Sequence, residues 1–118
     1  MNAKSIALLI FLSVLNVQVF AQTENYQSLA YGEWIYDTTD KDFFGKLLLM
    51  DDNTFEMTSK RTGKDENVSK GTYIIEDDRL ILTFESGKTQ NNEIEKLDKN
   101  HLQFRYIETV YFYKRANS

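Results

Sequence analysis

Gly71-Thr72-Tyr73-Ile74-Ile75-Glu76-Asp77-Asp78-Arg79-Leu80-Ile81-Leu82-Thr83-Phe84 is the stretch that decides the fold. Two runs of β-branched, leucine and aromatic residues flank an acidic break long enough only for a hairpin turn. Alternation along the runs sets Tyr73, Ile75, Leu80, Leu82 and Phe84 on one face and Thr72 on the other. The strands predicted on this basis run from Asn67 to Ile75 and from Arg79 to Phe84.

The same pattern repeats on both sides of this hairpin. Upstream, strands are predicted over Gly32 to Asp37, Phe44 to Met50 and Thr54 to Arg61, with a tight turn at Asp51-Asp52-Asn53 and a break at Thr62-Gly63-Lys64-Asp65. Downstream they are predicted over Thr89 to Leu97, His101 to Tyr106 and Thr109 to Arg115, punctuated by Glu85-Ser86-Gly87-Lys88 and Asp98-Lys99-Asn100. Helical periodicity is confined to short windows. Hairpin-short connections place each strand antiparallel beside its sequence neighbour. A series of this kind can curl and close, which removes exposed edges. The expected fold is all-β: a small up-and-down antiparallel barrel of about eight strands, with an open meander or a two-sheet sandwich as alternatives.

The inward face collects Leu47, Leu49, Phe55, Met57, Ile94, Leu102, Phe104, Tyr111 and Tyr113 besides the residues of the central hairpin. Glu56, Thr58, Glu95, Gln103 and Arg105 fall opposite. Side chains this bulky fill most of a short barrel, so a shallow pocket near one mouth is expected rather than a deep one. Leu48 and Met50, and separately Ile74 and Ile81, point outward. They form a possible interaction patch unless the N-terminal segment, through Tyr26 and Leu29, lies over them.

The N-terminus reads as a targeting segment. Lys4, the apolar stretch from Ile6 to Leu15 and the exit at Val19-Phe20-Ala21 have the charge, length and small-residue spacing of a secretory signal peptide, with cleavage expected after Ala21. The apolar stretch is about half of the roughly 20 residues that span a bilayer. The expected organisation is a signal peptide over 1–21, a polar lead-in over 22–30 and a barrel domain over 31–116, secreted or periplasmic, with no stable membrane anchor after cleavage. Without residues 1–21, which carry Lys4 and no acid, 13 basic residues face 18 acidic ones and the net charge is −5. Such a chain gains nothing from counterion release at nucleic acid and is repelled by anionic membranes. With no cysteine to form a disulfide or carry a lipid, the domain depends on its core alone, which points to a bacterial envelope. Absence of proline leaves regular strand pairing open throughout.

Catalytic signals are weak. His101, the single histidine, has no second histidine or cysteine nearby to share a transition metal. Asp51-Asp52-Asn53 lacks the bend glycine and distal glutamate of a calcium loop, and these acids suit turns instead. No Gly-x-Ser-x-Gly is present, and the remaining carboxylates fall in turns or on the outer face. No enzyme activity, metal or cofactor is expected.

Leu29-Ala30-Tyr31-Gly32-Glu33-Trp34, Leu47-x-Leu49, Asp51-Asp52-Asn53-Thr54-Phe55, Gly71-Thr72-Tyr73, Leu80-Ile81-Leu82 and Tyr111-Phe112-Tyr113-Lys114-Arg115 follow one another in an order that resembles the bacterial lipocalin-like domain family of small secreted or envelope proteins. The resemblance spans Leu29 to Arg115. Asn53 stands where glycine is usual, and the loop from Asp37 to Phe43 is short, as in members without a deep calyx. The resemblance implies that Trp34 closes the barrel floor with Arg115 packed across its ring, or Lys114 if the register differs by one. Leu49, Phe55, Tyr73, Phe104 and Tyr111, from their inward phase, join Trp34 as interior candidates for a small hydrophobic ligand held in a shallow mouth. The alternative is a protein-interaction module that meets another envelope protein through an outer face or loop.

Overall fold

Connections of two to six residues leave each strand no neighbour but the next one, and the pairing follows. The computed structural model describes residues 26–116; the signal-peptide reading over 1–21 and the lead-in as far as residue 25 lie outside the described residues. Residues 26–30 form a single helical turn. The strands are β1 (Gly32–Tyr36), β2 (Phe43–Leu49), β3 (Thr54–Arg61), β4 (Asn67–Glu76), β5 (Arg79–Phe84), β6 (Thr89–Leu97), β7 (His101–Tyr106) and β8 (Thr109–Arg115). Each is antiparallel to its sequence neighbour, and β1 also pairs with β8 through Trp34↔Arg115, Ile35↔Lys114 and Tyr36↔Tyr113. The result is a closed eight-stranded up-and-down barrel, not an open meander or a sandwich. No helix among the described residues is long and apolar enough to cross a membrane.

Four strand ends differ by a residue from the expected bounds: β2 begins at Phe43, β4 extends to Glu76, and β1 and β2 each stop one residue early for local reasons. Met50 leaves β2 because its carbonyl accepts the Asn53 N–H at 3.1 Å and the Tyr73 hydroxyl at 2.8 Å. Asp37 leaves β1, although its N–H still donates to the Phe112 carbonyl at 2.7 Å. In the turn after β2, Asp52 accepts from the N–H and hydroxyl of Thr54, hydrogen bonds that hold its carboxyl below the usual range.

The alternating inward residues of the central hairpin, Tyr73, Ile75, Leu80 and Leu82, are buried. So are Leu47, Leu49, Phe55, Leu102 and Phe104. Three positions depart from a simple apolar-in, polar-out alternation. Leu97, out of phase with Ile94, is nevertheless buried, because the β6–β7 register shifts between Ile94 and Lys96. That bulge spends one extra residue, Glu95, and returns the next apolar side chain to the core. Thr58, expected on the solvent face, is buried, flanked in the register by Lys46 and Val68. Asn92, in phase with Ile94, is a fully buried polar residue. Its side-chain N–H donates to the Leu80 carbonyl at 2.9 Å and its oxygen accepts from Gln90 at 2.8 Å, which removes the desolvation cost of burying an amide.

Gly71 sits where β3, β4 and β5 approach most closely. A Cβ there would lie 1.9 Å from the Thr83 carbonyl oxygen and 2.9 Å from the Phe55 ring. The first neighbour is backbone and cannot rotate away. Gly71→Ala is therefore expected to destabilise the barrel by about 3 kcal/mol, the upper range for overpacking, read as a lowered urea midpoint; an unchanged midpoint would show that the sheet opens freely at this point.

Candidate functional site

The two ends of the barrel differ in composition. At the end that carries the β2–β3, β4–β5 and β6–β7 turns, the inward residues are large and apolar. Trp34 is completely buried there, and its indole N–H donates to the Ala30 carbonyl at 2.8 Å. The guanidinium of Arg115 lies over the indole at 3.9 Å. It donates to the carbonyls of Tyr31, Leu29 and Lys99, so one side chain ties β8 to the helical turn, to the start of β1 and to the β6–β7 turn. Tyr26, Leu29 and Tyr31 pack against the buried cluster, and Gln27 donates to the Asn53 side chain at 3.1 Å. This end is a closed floor.

At the other end the inward residues become small or polar. Along β2 the sequence runs from Leu49 and Leu47 to Gly45; along β3 it runs from Phe55 and Met57 to Ser59. Gly45 and Ser59 are partners across the two strands, so two small residues face the interior side by side. Where the next layer down holds Leu47 opposite Met57, this layer has only the small Ser59 side chain and a Gly45 whose Cβ position is crowded at 3.0 Å by the Phe43 ring and by Tyr36. The consequence is a cavity of about 340 Å³, open to solvent at the mouth.

Aromatic rings wall the cavity, with Tyr36 and Phe43 directly beside Gly45 and with Tyr111 and Tyr113 from β8. Tyr36 lies 5.5 Å from Tyr113 and 6.2 Å from Tyr111, and the Tyr113 ring stacks on Phe104 at 5.5 Å. Phe43 meets Tyr36 edge-on at 5.6 Å. A smaller recess of about 110 Å³ runs inward beneath Tyr111 and Tyr113 to Met57, Phe104 and Gln90. At the rim Arg61 lies over Phe43 at 5.3 Å and forms an ion pair with Asp40 at 3.2 Å. The Asp42 N–H and the Arg61 guanidinium hold the Asp40 carboxyl below the usual range. Burial, with Tyr36 and Tyr111 nearby, raises the Tyr113 hydroxyl far above the ordinary tyrosine value, so it stays protonated.

Of the six interior candidates read from the sequence, Tyr111 borders the main cavity and Phe104 the recess. Trp34, Leu49, Phe55 and Tyr73 border neither and pack in the closed half of the barrel. Tyr36, Phe43, Gly45, Ser59 and Arg61 were missed. Alternation alone puts Gly45, Ser59 and Arg61 on the inward face, in phase with Leu47 and Met57, but their character suggested strand ends rather than a lining.

The outward residues Leu48, Met50, Ile74 and Ile81 do not form one patch. Ile74 and Ile81 are cross-strand partners, and Ile74 is 51% exposed. Thr54, Thr72 and Thr83, then Glu56 and Lys70, stand between them and Leu48 in the register. Tyr26 and Leu29 pack against the buried cluster instead of covering this face. His101 lies 3.1 Å from Asp98 in an exposed turn. Asp98 also accepts the Asn100 and His101 N–H groups, and these bonds hold its carboxyl low.

Replacement of Arg115 tests the floor. Arg115→Met strips three carbonyls of their donor and the indole of its cation, an expected loss of about 3 kcal/mol. Arg115→Lys, which cannot fork across several acceptors, is expected to lose about half of that. Chemical denaturation gives the stability, and the emission of Trp34, the single tryptophan, reports whether the floor has opened.

No protein-family model matches the chain, and no curated protein sequence matches it. Among solved structures, the chain is similar to a protein from Bacteroides uniformis determined by NMR, at 18% identity and a TM-score of 0.65, over 78% of this chain and 93% of that one. It is also similar to an uncharacterized protein from Bacteroides eggerthii, determined by crystallography, at 13% identity and a TM-score of 0.54, over 72% of this chain and 98% of the other. At these identities the likeness is one of fold: a small all-β barrel is the structural class to which this chain belongs.

Proposed function

We propose that this protein is an exported, non-enzymatic binding protein of the lipocalin-like kind, which holds a small, largely apolar ligand at the open mouth of its barrel. The observation that carries this reading is the cavity of about 340 Å³ between the Gly45–Ser59 gap and the wall of Tyr36, Tyr111 and Tyr113. Its volume is near the lower bound of small-molecule sites, about 300–1,000 Å³. Its lining combines apolar rings with a few polar groups, as such sites do. The signal-like N-terminus supports a periplasmic or extracellular location. The outer-face alternative, docking of another envelope protein, has the exposed Ile74 beside Ile81 in its favour. That pair is small and bordered by threonines.

A neutral lipophilic dye, N-phenyl-1-naphthylamine, separates the two. Titration into the purified domain is expected to give a saturable fluorescence rise at one dye per barrel. Ser59→Leu, which fills the gap beside Gly45, is expected to weaken binding by at least about tenfold, whereas Ile74→Asp leaves it unchanged. A linear, non-saturable rise with the native protein would sink the proposal.

A further inference from the structure

The rim of the cavity carries one cationic, donor-only group, the Arg61 guanidinium, and this narrows the chemistry of its occupant. The hydroxyls of Tyr36, Tyr111 and Tyr113 have no partner among the described residues, although Tyr113 is largely buried. The Ser59 hydroxyl is likewise unengaged, and Thr38 at the rim uses its oxygen only to accept the Asp40 N–H. Arg61 spends one N–H on Asp40, through Nη1, and the rest of its fork is unengaged among the described residues. Asp40, the carboxylate at the rim, takes the Asp42 N–H with one oxygen and Arg61 with the other. The Asn92 oxygen beyond the recess is bonded to Gln90. The hydroxyls accept as well as donate and so match a guest of either kind, whereas the unengaged N–H groups of Arg61 only donate and favour a guest that offers them an acceptor.

The shape of the space adds a second constraint. One wall is a continuous surface of aromatic rings, Tyr36, Tyr113 and Phe104, with Tyr111 beside them. Flat π-systems pack well on such surfaces in offset or edge-on geometry. The layer of Leu47 and Met57 lies directly beneath the Gly45–Ser59 gap, and below it the barrel is filled as far as Trp34. A long alkyl chain therefore has no channel in which to extend.

Resting on the binding reading above, we propose that the mouth takes a small aromatic monocarboxylate, its ring system against the Tyr36–Tyr111–Tyr113 wall and its carboxylate on the free donors of Arg61 at the rim. Carboxylate and guanidinium geometries match, and a charge-assisted pair is about twice as strong as a neutral hydrogen bond. Asp40 then acts as an internal competitor. It holds the guanidinium over Phe43 while the mouth is empty and shares it with the ligand when the mouth is filled.

Three compounds of one shape test the assignment in calorimetric titrations: 2-naphthoate, neutral 2-naphthamide and cationic 2-naphthylmethylammonium. The anion is expected to bind about tenfold more tightly than the amide, with the cation weakest. Arg61→Gln is expected to remove the preference for the anion, so that naphthoate and naphthamide bind alike, with an unchanged urea midpoint showing that this exposed substitution has not damaged the fold. Asp40→Asn, which frees the fork, is expected to tighten naphthoate by about threefold. Equal affinity for anion and amide, a preference for the cation, or an Arg61→Gln variant that keeps the anion preference would each overturn the carboxylate assignment. If the neutral dye still binds saturably in those cases, the apolar-cavity reading stands; if it does not, both fall.

Discussion

The pairing of β1 with β8 is the constraint on which everything else depends. Without it the meander has two open edges, and an edge strand of this chain would show unpaired N–H and C=O groups to any neighbour. Only three residue pairs make the junction, Trp34↔Arg115, Ile35↔Lys114 and Tyr36↔Tyr113, so backbone hydrogen bonds alone give a short seam. The first and last of these pairs reinforce it in different ways. Trp34 and Arg115 meet through a cation over an aromatic face and, through Arg115, through carbonyls on both sides of the seam. Tyr36 and Tyr113 meet ring to ring. The same junction thus anchors the floor at one end and begins the aromatic wall of the mouth at the other.

From this junction the interior changes character along the barrel axis. Tryptophan, leucine and phenylalanine fill the floor to the density that a cysteine-free domain needs. Toward the mouth the inward positions pass to Gly45, Ser59 and Gln90, with tyrosines beside them. A strand can make this change without altering its backbone, because inward and outward positions alternate whatever side chain they carry. Stability and recognition therefore occupy separate halves of one sheet.

The fold was legible in the sequence because alternation and turn chemistry agreed at nearly every step. Tyr73, Ile75, Leu80 and Leu82 lie where period two places them, and Asp77-Asp78 breaks the run where a hairpin needs it. What alternation could not supply was information that lives between strands. The bulge at Glu95, which turns Leu97 inward, depends on how β6 registers against β7. The gap at the mouth depends on Gly45 and Ser59 being partners, and no local window contains both. Arg61 read as the polar end of a strand, and only the return of the β1–β2 loop places Asp40 against it. The candidates Trp34, Leu49, Phe55 and Tyr73 were drawn from bulk and inward phase, the properties of a core; a lining needs inward phase with missing bulk next to it.

A mouth of this composition is a poor choice if stability were the only demand. An aliphatic residue at Ser59 would carry the apolar packing of the Leu47–Met57 layer one step higher, and each buried methylene contributes about 0.8 kcal/mol. A Cβ at Gly45 would meet Phe43 and Tyr36 at 3.0 Å, so even alanine there presses on the aromatic wall. The hydroxyls of Tyr36, Tyr111 and Tyr113 bond to no group among the described residues, so phenylalanine would serve the packing equally well. The exposed Arg61–Asp40 pair adds little to folding in its own right. Small residues, protonated tyrosines and a guanidinium held ready at the rim make physical sense together when the space they border is filled by a guest that accepts hydrogen bonds. A requirement to fold, acting alone, would fill the mouth in the way that it has filled the floor.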